Sequence, residues 1–264
     1  MKPILRLIRR DVIKQYLKLS QVYFKITGYK VECNICHYKA NKLNSDMWHL
    51  YTGCPNCGSG IRQRLIMASF VFLDDFNFDK IIKDKNILHF APEKELGRII
   101  QRHAKNYKTA DFFAEEYSYD EVDYNLDISN MKNIQDATYD CVIACDVLEH
   151  VTNHIDGIKE VYRILTNGGY CIFTVPQKND LEYTLEDLSI LDPKEREKVF
   201  GQKDHLRMYG DDFVDMLKDV GFEVTAVNEK FFDKKIVEKF VLFPPILSKK
   251  PLATNYRKVF FGKK

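Results

Sequence analysis

The run Tyr139-Asp140-Cys141-Val142-Ile143-Ala144-Cys145-Asp146-Val147-Leu148-Glu149-His150-Val151 decides how this chain folds. Its apolar part, Cys141 to Cys145, stops abruptly in acid and imidazole. A short apolar run bounded by polar residues is the pattern of a parallel strand covered on both faces. In open α/β sheets ligands bind just beyond the carboxyl ends of such strands, which puts Asp146, Glu149 and His150 where chemistry is expected. Downstream, Ile155 to Leu165 has helical periodicity, Asn167-Gly168-Gly169 breaks it, and Tyr170 to Val175 is a second buried strand. The unit is strand, site, helix, strand.

The chain has 264 residues, enough for one large α/β domain with a small appendage or for two ordinary domains. Its 45% apolar and 30% charged residues are those of a soluble globular protein, and a net charge of +2 gives no bulk electrostatic footprint for nucleic acid. The charge is unevenly placed: residues 2 to 30 hold eight Lys or Arg and one acid, Asp11. No apolar run approaches the roughly 20 residues that span a bilayer, and the basic N-terminus lacks the apolar core and small-residue cleavage site of a signal peptide. Seven cysteines without secretory features point to a reducing, cytoplasmic setting, where paired cysteines more often hold metal than form disulfides.

In residues 1 to 30, Ile4, Leu7, Ile8, Val12, Tyr16 and Leu19 form an apolar stripe with Arg and Lys between them. That predicts a basic amphipathic helix, packed on the body of the protein or laid peripherally on an anionic membrane. Residues 31 to 60 carry Cys33-Asn-Ile-Cys36, seventeen residues, then Cys54-Pro-Asn-Cys57-Gly58. Two Cys-x-x-Cys turns bring four thiolates to one ion, which predicts a zinc ribbon. Four sulfurs leave no open coordination position, so the zinc is expected to be structural. Residues 61 to 84 read as a linking helix, whose Arg62 and Arg64 either face an anionic substrate or are solvated.

From residue 85 to 264 strands and helices alternate. Asn86 to Phe90 is a strand, followed by Ala91-Pro92-Glu93 and a helix from about Leu96. Asn106 to Ala110 is a second strand, ending at Asp111, and residues 122 to 128 contain a third, ending in Leu126-Asp127-Ile128. After the opening unit comes a polar excursion from Gln177 to Tyr209, then helix Asp211–Val220, strand Phe222–Val227 and a final edge strand from Arg257 to Gly262. Strands separated by helices predict a doubly wound, mostly parallel sheet.

Strand 139–145 with Leu148-Glu149-His150-Val151, and Glu160-Val-Tyr-Arg163-Ile-Leu165-Thr-Asn-Gly168-Gly169 after it, together resemble class I S-adenosylmethionine-dependent methyltransferases of the type 11-like group. The resemblance implies a seven-stranded, Rossmann-like sheet and S-adenosylmethionine as cofactor. It places Ala91, Pro92 and Glu93 around the methionine moiety, Asp111 on the ribose hydroxyls, Asp127 and Ile128 at the adenine, and Cys145 under the sulfonium. The first turn departs from the family, which has an acidic residue followed by Gly-x-Gly; His89-Phe-Ala91-Pro92-Glu93 lacks those glycines, with Ala91 small and Glu93 the candidate substitute for the acid. The ribbon, together with Phe200-Gly-Gln-Lys-Asp204-His205-Leu-Arg207-Met-Tyr209-Gly210, resembles a bacterial subgroup associated with glycan acceptors.

An oxygen nucleophile needs a base, and His205, His150 and Asp146 are the candidates, with His205 favoured. Arg207, Tyr209 and Glu149 are the residues expected against the acceptor. Asp146, Glu149 and His150 also have the i, i+3, i+4 spacing of one helical face. Some relatives hold a catalytic divalent metal on such residues and a further histidine, here His205. The function expected first is O-methylation of a sugar, glycan precursor or other small acceptor. The alternatives are an RNA or protein methyltransferase that grips its macromolecule with the ribbon, and a non-catalytic binding module with the same fold.

Overall fold

The computed structural model describes residues 2–46, 48–112 and 122–264, with the side chains of residues 2–11, 14 and 25 outside that description. Helix α1 spans Lys2–Thr27. Its packed face is Leu17 and Phe24, with Gln21 between them exchanging hydrogen bonds of 2.9 and 2.8 Å with the Lys39 backbone. These three positions share one side of a helix. The stripe expected to pack does not: Val12, Tyr16 and Leu19 are 59%, 68% and 71% exposed, because α1 has apolar residues on several faces and the ribbon engages only one. Ile4, Leu7 and Ile8 lie outside the described side chains.

Strands β1 (Val31–Glu32) and β2 (Lys39–Ala40) form a two-residue antiparallel pair. The two cysteine turns repeat one geometry. Cys33 N–H donates to Tyr38 O and His37 N–H to Cys33 O; Cys54 N–H donates to Ser59 O and Gly58 N–H to Cys54 O. His37 and Gly58 hold the matching left-handed positions, at φ of 57° and 75°.

Helix α2 (Ile61–Phe72) is buried on nearly every side. After α3 (Phe78–Ile81) come β3 (Asn86–Phe90), α4 (Lys94–Gln101), β4 (Asn106–Asp111), β5 (Tyr124–Asn125) and β6 (Tyr139–Cys145). Then follow α5 (His154–Ile164), β7 (Leu165–Thr174), and an antiparallel pair, β8 (Leu185–Glu186) and β9 (Arg207–Met208), with α6 (Pro193–Phe200) between them in sequence. The chain ends in α7 (Phe213–Val220), β10 (Glu223–Val227), α8 (Lys234–Phe240) and β11 (Val259–Lys263).

The sheet has seven strands in the order β10-β11-β7-β6-β3-β4-β5, parallel except that β11 runs antiparallel to both neighbours. The doubly wound, mostly parallel, Rossmann-like sheet is therefore present. One expectation is corrected: the last strand is not at the edge but between β10 and β7. Its Val259, Phe260 and Phe261 are fully buried, which an edge strand does not require, and a Cβ on Gly262 would lie 2.6 Å from Cys171 Sγ.

Side chains alternate across the sheet, as strand geometry dictates. Ile87, Cys141, Ile143, Cys145, Ile172 and Phe261 face one layer, where they share a core with α2 and with Cys33, Ile35, Tyr38 and Cys54 of the ribbon. Leu88, Val142, Ala144, Phe173 and Phe260 face the other, against α5 and α7. The ribbon and α2 are thus one wall of the sheet's core. No helix among the described residues is long and apolar enough to cross a membrane.

Arg64 shows how that wall is fastened. It is wholly buried and donates to Phe240 O at 2.8 Å, Ser59 O at 2.7 Å, and Thr52 O and Val241 O at 2.6 and 3.0 Å. One guanidinium ties the ribbon to the end of α8; it is neither solvated nor turned to a substrate. Arg64→Met would leave four carbonyls without their donor, a loss on the order of 3–5 kcal/mol. Urea unfolding of the two proteins side by side measures it, and an unchanged midpoint would remove the assignment.

Candidate active site

The parallel register brings five strand ends to one edge. Phe90 is level with Ala110 and Ala144, Ala110 with Tyr124, and Cys145 with Thr174. The residues that follow each strand therefore line a single crevice. Ala91 N–H donates to Ala110 O, and Leu126 N–H to Asp111 O, both at 2.9 Å, so the turns after β3, β4 and β5 are joined by backbone.

Ala91 has φ of 44°, the left-handed conformation that glycine reaches without penalty. The turn thus keeps a glycine-like path with an alanine in it. Gly97 is kept for closeness: a Cβ there would lie 2.8 Å from the Tyr107 hydroxyl. That hydroxyl is 2.9 Å from His89 Nδ1, and His89 Nε2 is 3.2 Å from Glu93 Oε2. Glu93 Oε1 accepts from Arg62 Nε at 3.2 Å and Gln63 Nε2 at 3.4 Å. Burial opposes its charge, but His89 and Arg62 hold the Glu93 carboxyl below the usual range. The acid expected to order a cofactor's amino group is thus already paired within the protein.

Asp111, at the end of β4, accepts from Phe112 N–H through Oδ1 at 2.8 Å, and its other oxygen makes no hydrogen bond among the described residues. Partial burial raises its pKa. A half-buried carboxylate with spare acceptor capacity fits a pair of ribose hydroxyls. Asp127 takes the Ser129 N–H and hydroxyl on Oδ1, at 2.8 and 2.7 Å, and Ile128 is buried against Gly157. Cys145 is buried at the end of β6, and burial holds its thiol well above the usual range, so it is an uncharged apolar floor. Phe112 is exposed, and Phe113 and Tyr117 lie outside the described residues.

Asp146, one of the candidate bases, is held between cations. Its carboxylate accepts from Arg62 Nη1 and from Thr174 Oγ1 at 2.8 Å, and Arg257 Nη1 stands 3.4 Å from Oδ2. Burial works against its charge, yet the Arg62 and Arg257 guanidiniums hold its pKa at about 2. A carboxylate so gripped has no affinity for a proton at neutral pH. Arg62 bridges Glu93 and Asp146, two acids from separate strand ends, so of the two arginines expected either on an anionic substrate or in solvent, Arg62 is ion-paired within the protein and Arg64 is the staple described above. Arg257, which also reaches Asp146, had no functional reading from sequence.

The turn after Asp146 is a 3-10 turn, Leu148–His150, and the 200–210 segment is stitched onto it. Leu206 N–H donates to Glu149 O at 2.9 Å, and Arg207 donates to Leu148 O, Val151 O and Thr152 O at 2.7, 2.6 and 3.1 Å. Arg207 and Tyr209 are fully buried, and the Tyr209 hydroxyl is 3.0 Å from His154 Nδ1. Both were expected on the acceptor; Arg207 is bonded to this turn and to Glu186, and Tyr209 to His154 at the start of α5.

What the stitching brings together is Glu149, His150 and His205. His205 Nε2 is 3.9 Å from Glu149 Oε1, His150 Nε2 is 4.0 Å from the same oxygen, and the two imidazoles meet edge to face at 4.9 Å. His205 Nδ1 lies 3.1 Å from Phe200 O, so it carries the proton and donates, leaving the Nε2 lone pair free. Burial, with the neighbouring His150, pushes the His205 pKa down to about 4, so the ring is neutral at pH 7. Glu149 is buried, its pKa is raised well above the carboxylate range by burial and by Asp146, and its Oε2 has no hydrogen-bond partner among the described residues. Ligand atoms of these three residues lie within 4.8 Å of one another, and Asp146 stands outside the group.

Cys33, Cys36, Cys54 and Cys57 converge on the far side of α2. Their sulfurs also lie within 4.8 Å of one another, with Cys33–Cys57 at 3.7 Å and Cys36–Cys54 at 3.6 Å. A tetrahedron with Zn–S bonds of ~2.3 Å has sulfurs ~3.8 Å apart, so the donors fit that ion.

A seven-stranded sheet with this order, and with acids at the ends of its cofactor-side strands, is a Rossmann-like methyltransferase fold. Residues 50–227 match the sequence model of a family described as a methyltransferase domain, and the chain belongs to that family. No curated protein matches. The fold is similar to an S-adenosylmethionine-dependent methyltransferase from Mesorhizobium loti (13% identity, 69% of this chain and 92% of that one, TM-score 0.46). It is also similar to one from Archaeoglobus fulgidus (10%, 76% and 94%, 0.48). A third is the 1,6-didemethyltoxoflavin-N1-methyltransferase of Burkholderia thailandensis, with bound S-adenosylhomocysteine (10%, 77% and 78%, 0.47).

Proposed function

We propose that the protein transfers a methyl group from S-adenosylmethionine to a hydroxyl of a sugar, glycan precursor or other small acceptor, with His205 as general base. One observation supports the oxygen acceptor above all: a buried, neutral imidazole whose Nε2 lone pair is free and whose Nδ1–H is anchored to Phe200 O. When bound, the cofactor supplies an electrophilic methyl group on a sulfonium. Asp111 would orient the ribose, Ile128 and the Cys145 floor would exclude water, and His205 Nε2 would take the hydroxyl proton as the new C–O bond forms and the sulfur–methyl bond breaks, its electron pair staying on sulfur. Positioning accounts for most of the acceleration in such an in-line displacement.

A second reading has its own support, the partnerless Glu149 Oε2 beside two imidazoles. Glu149, His150 and His205 would then hold a divalent ion that polarises the acceptor hydroxyl. We further infer that the four cysteines hold a structural zinc.

The first test is cofactor binding. Calorimetry with S-adenosylhomocysteine should show one site per chain, and Asp111→Ala should weaken it about 10- to 100-fold, since two charge-assisted hydrogen bonds are lost. No heat with the wild type would remove the enzyme reading. Labelled methyl transfer into cell extract, fractionated into glycan, RNA, protein and small molecules, then identifies the acceptor. Label in RNA or protein would replace the small-acceptor reading.

A further inference from the structure

A cavity of ≈ 260 Å³ lies where the ribbon meets the methyltransferase sheet, lined by Asp46, Trp48, His49, Thr52 and Gly58 of the ribbon and by Arg62 and Arg257, among others. Its charge is asymmetric. Asp46 is the acid in its wall, and that carboxylate is consumed locally, accepting from Trp48 N–H at 2.7 Å, His49 N–H at 2.6 Å and Thr52 Oγ1 at 2.8 Å. Arg257 pairs with Asp146 through Nη1 alone, at 3.4 and 3.5 Å, so among the described residues its Nε and Nη2 make no hydrogen bond to that acid and can face a second anion. His49 is buried, and its Nε2 has no hydrogen-bond partner among the described residues. Pockets for drug-sized ligands run roughly 300–1,000 Å³, so this space suits a single small polar unit.

We propose that this cavity binds the acidic group, phosphate or carboxylate, of a small acceptor, with Arg257 as its main ligand and the ribbon as its outer wall. The proposal rests on the methyltransferase reading for the word acceptor, and on the cavity alone for the anion. Arg62 and Arg257 share Asp146 at the end of β6, so an anion held there is anchored at the crevice edge. The ribbon would then select the substrate besides supporting the fold.

Trp48 is the chain's one tryptophan, and it forms part of the wall, so its fluorescence reports on this site. The zinc-loaded full chain, saturated with S-adenosylhomocysteine, is titrated with inorganic phosphate, glucose 6-phosphate, glucuronate and glucose. A saturable change is expected with phosphate and with one acidic sugar, whose identity tells phosphate from carboxylate, and none with glucose. Arg257→Gln should weaken that binding at least about tenfold, and Arg257→Lys less, because a hydrogen bond to a charged group is lost in the first and partly kept in the second. A flat response of the wild type to every acid overturns the proposal without reference to any variant. So does undiminished binding in Arg257→Gln, or competition between phosphate and S-adenosylhomocysteine, which would make the cavity part of the cofactor site. If S-adenosylhomocysteine itself fails to bind, the methyltransferase reading falls, while a phosphate titration run without it still decides whether the cavity takes an anion.

Discussion

Cys54→Ser is expected to abolish zinc retention and to lower the melting temperature of the whole chain, not only that of residues 31–60. The ribbon has little else to hold it, since β1 and β2 are two residues long each. Structural zinc contributes about 10–16 kcal/mol in small ribbon-like peptides, more than any other single contact discussed here. The effect spreads because Cys33, Ile35, Tyr38 and Cys54 share their core with α2 and with Ile87 and Ile143 of the sheet. Arg64 spreads it further: without Thr52 O and Ser59 O, its guanidinium loses two buried acceptors. Metal analysis should find one zinc per chain in the wild type, and circular dichroism should record one cooperative transition shifted downward in the variant. A metal-free wild type melting at the same temperature would refute both the zinc and its reach.

His205→Ala is expected to cut turnover by about 10²–10⁴, the range for losing a positioned base, while the affinity for S-adenosylhomocysteine stays the same. His205 lies on the 200–210 segment and not among Asp111, Asp127 and Ile128, the residues proposed for the cofactor, which is why the two readouts are expected to separate. His150→Ala then distinguishes the two roles of this histidine pair. If His205 acts as base, His150 is a partly exposed neighbour 4.9 Å away, and its loss costs little. If the pair holds a divalent ion with Glu149, His150→Ala costs about as much as His205→Ala, and a chelator that spares the ribbon zinc stops turnover. Unchanged turnover in His205→Ala, in the extract fraction that accepts label, would sink both roles.

The strand-site-helix-strand unit was legible because each of its signals is local. A buried strand announces itself within five residues; Asn167-Gly168-Gly169, expected to break the helix, lies within β7, the helix having ended at Ile164. The four cysteines were equally plain, since two-residue spacing within each knuckle already forces the thiols to converge. Asp111, Asp127 and Cys145 could be placed by counting strand ends. Asp146 could be located in the same way, but its role could not. It became a gripped carboxylate only through Arg62 and Arg257, which are 84 and 111 residues away in sequence.

By itself, then, the amino-acid order determined the strands and helices that carry the candidate site, the four convergent cysteines and the sheet edge where those strands end. Hydrophobic period and turn chemistry act over one or two turns of backbone, and these features need no more. Tertiary structure alone decided which charged groups are spent and which remain free. Arg64 and Arg207 read from sequence as solvent or substrate contacts, and both are buried on backbone carbonyls. β11 reads as an edge strand and is sandwiched between β10 and β7. A side chain's hydrogen-bond partners and a strand's neighbours are set by contacts across the whole chain, and no local pattern records them.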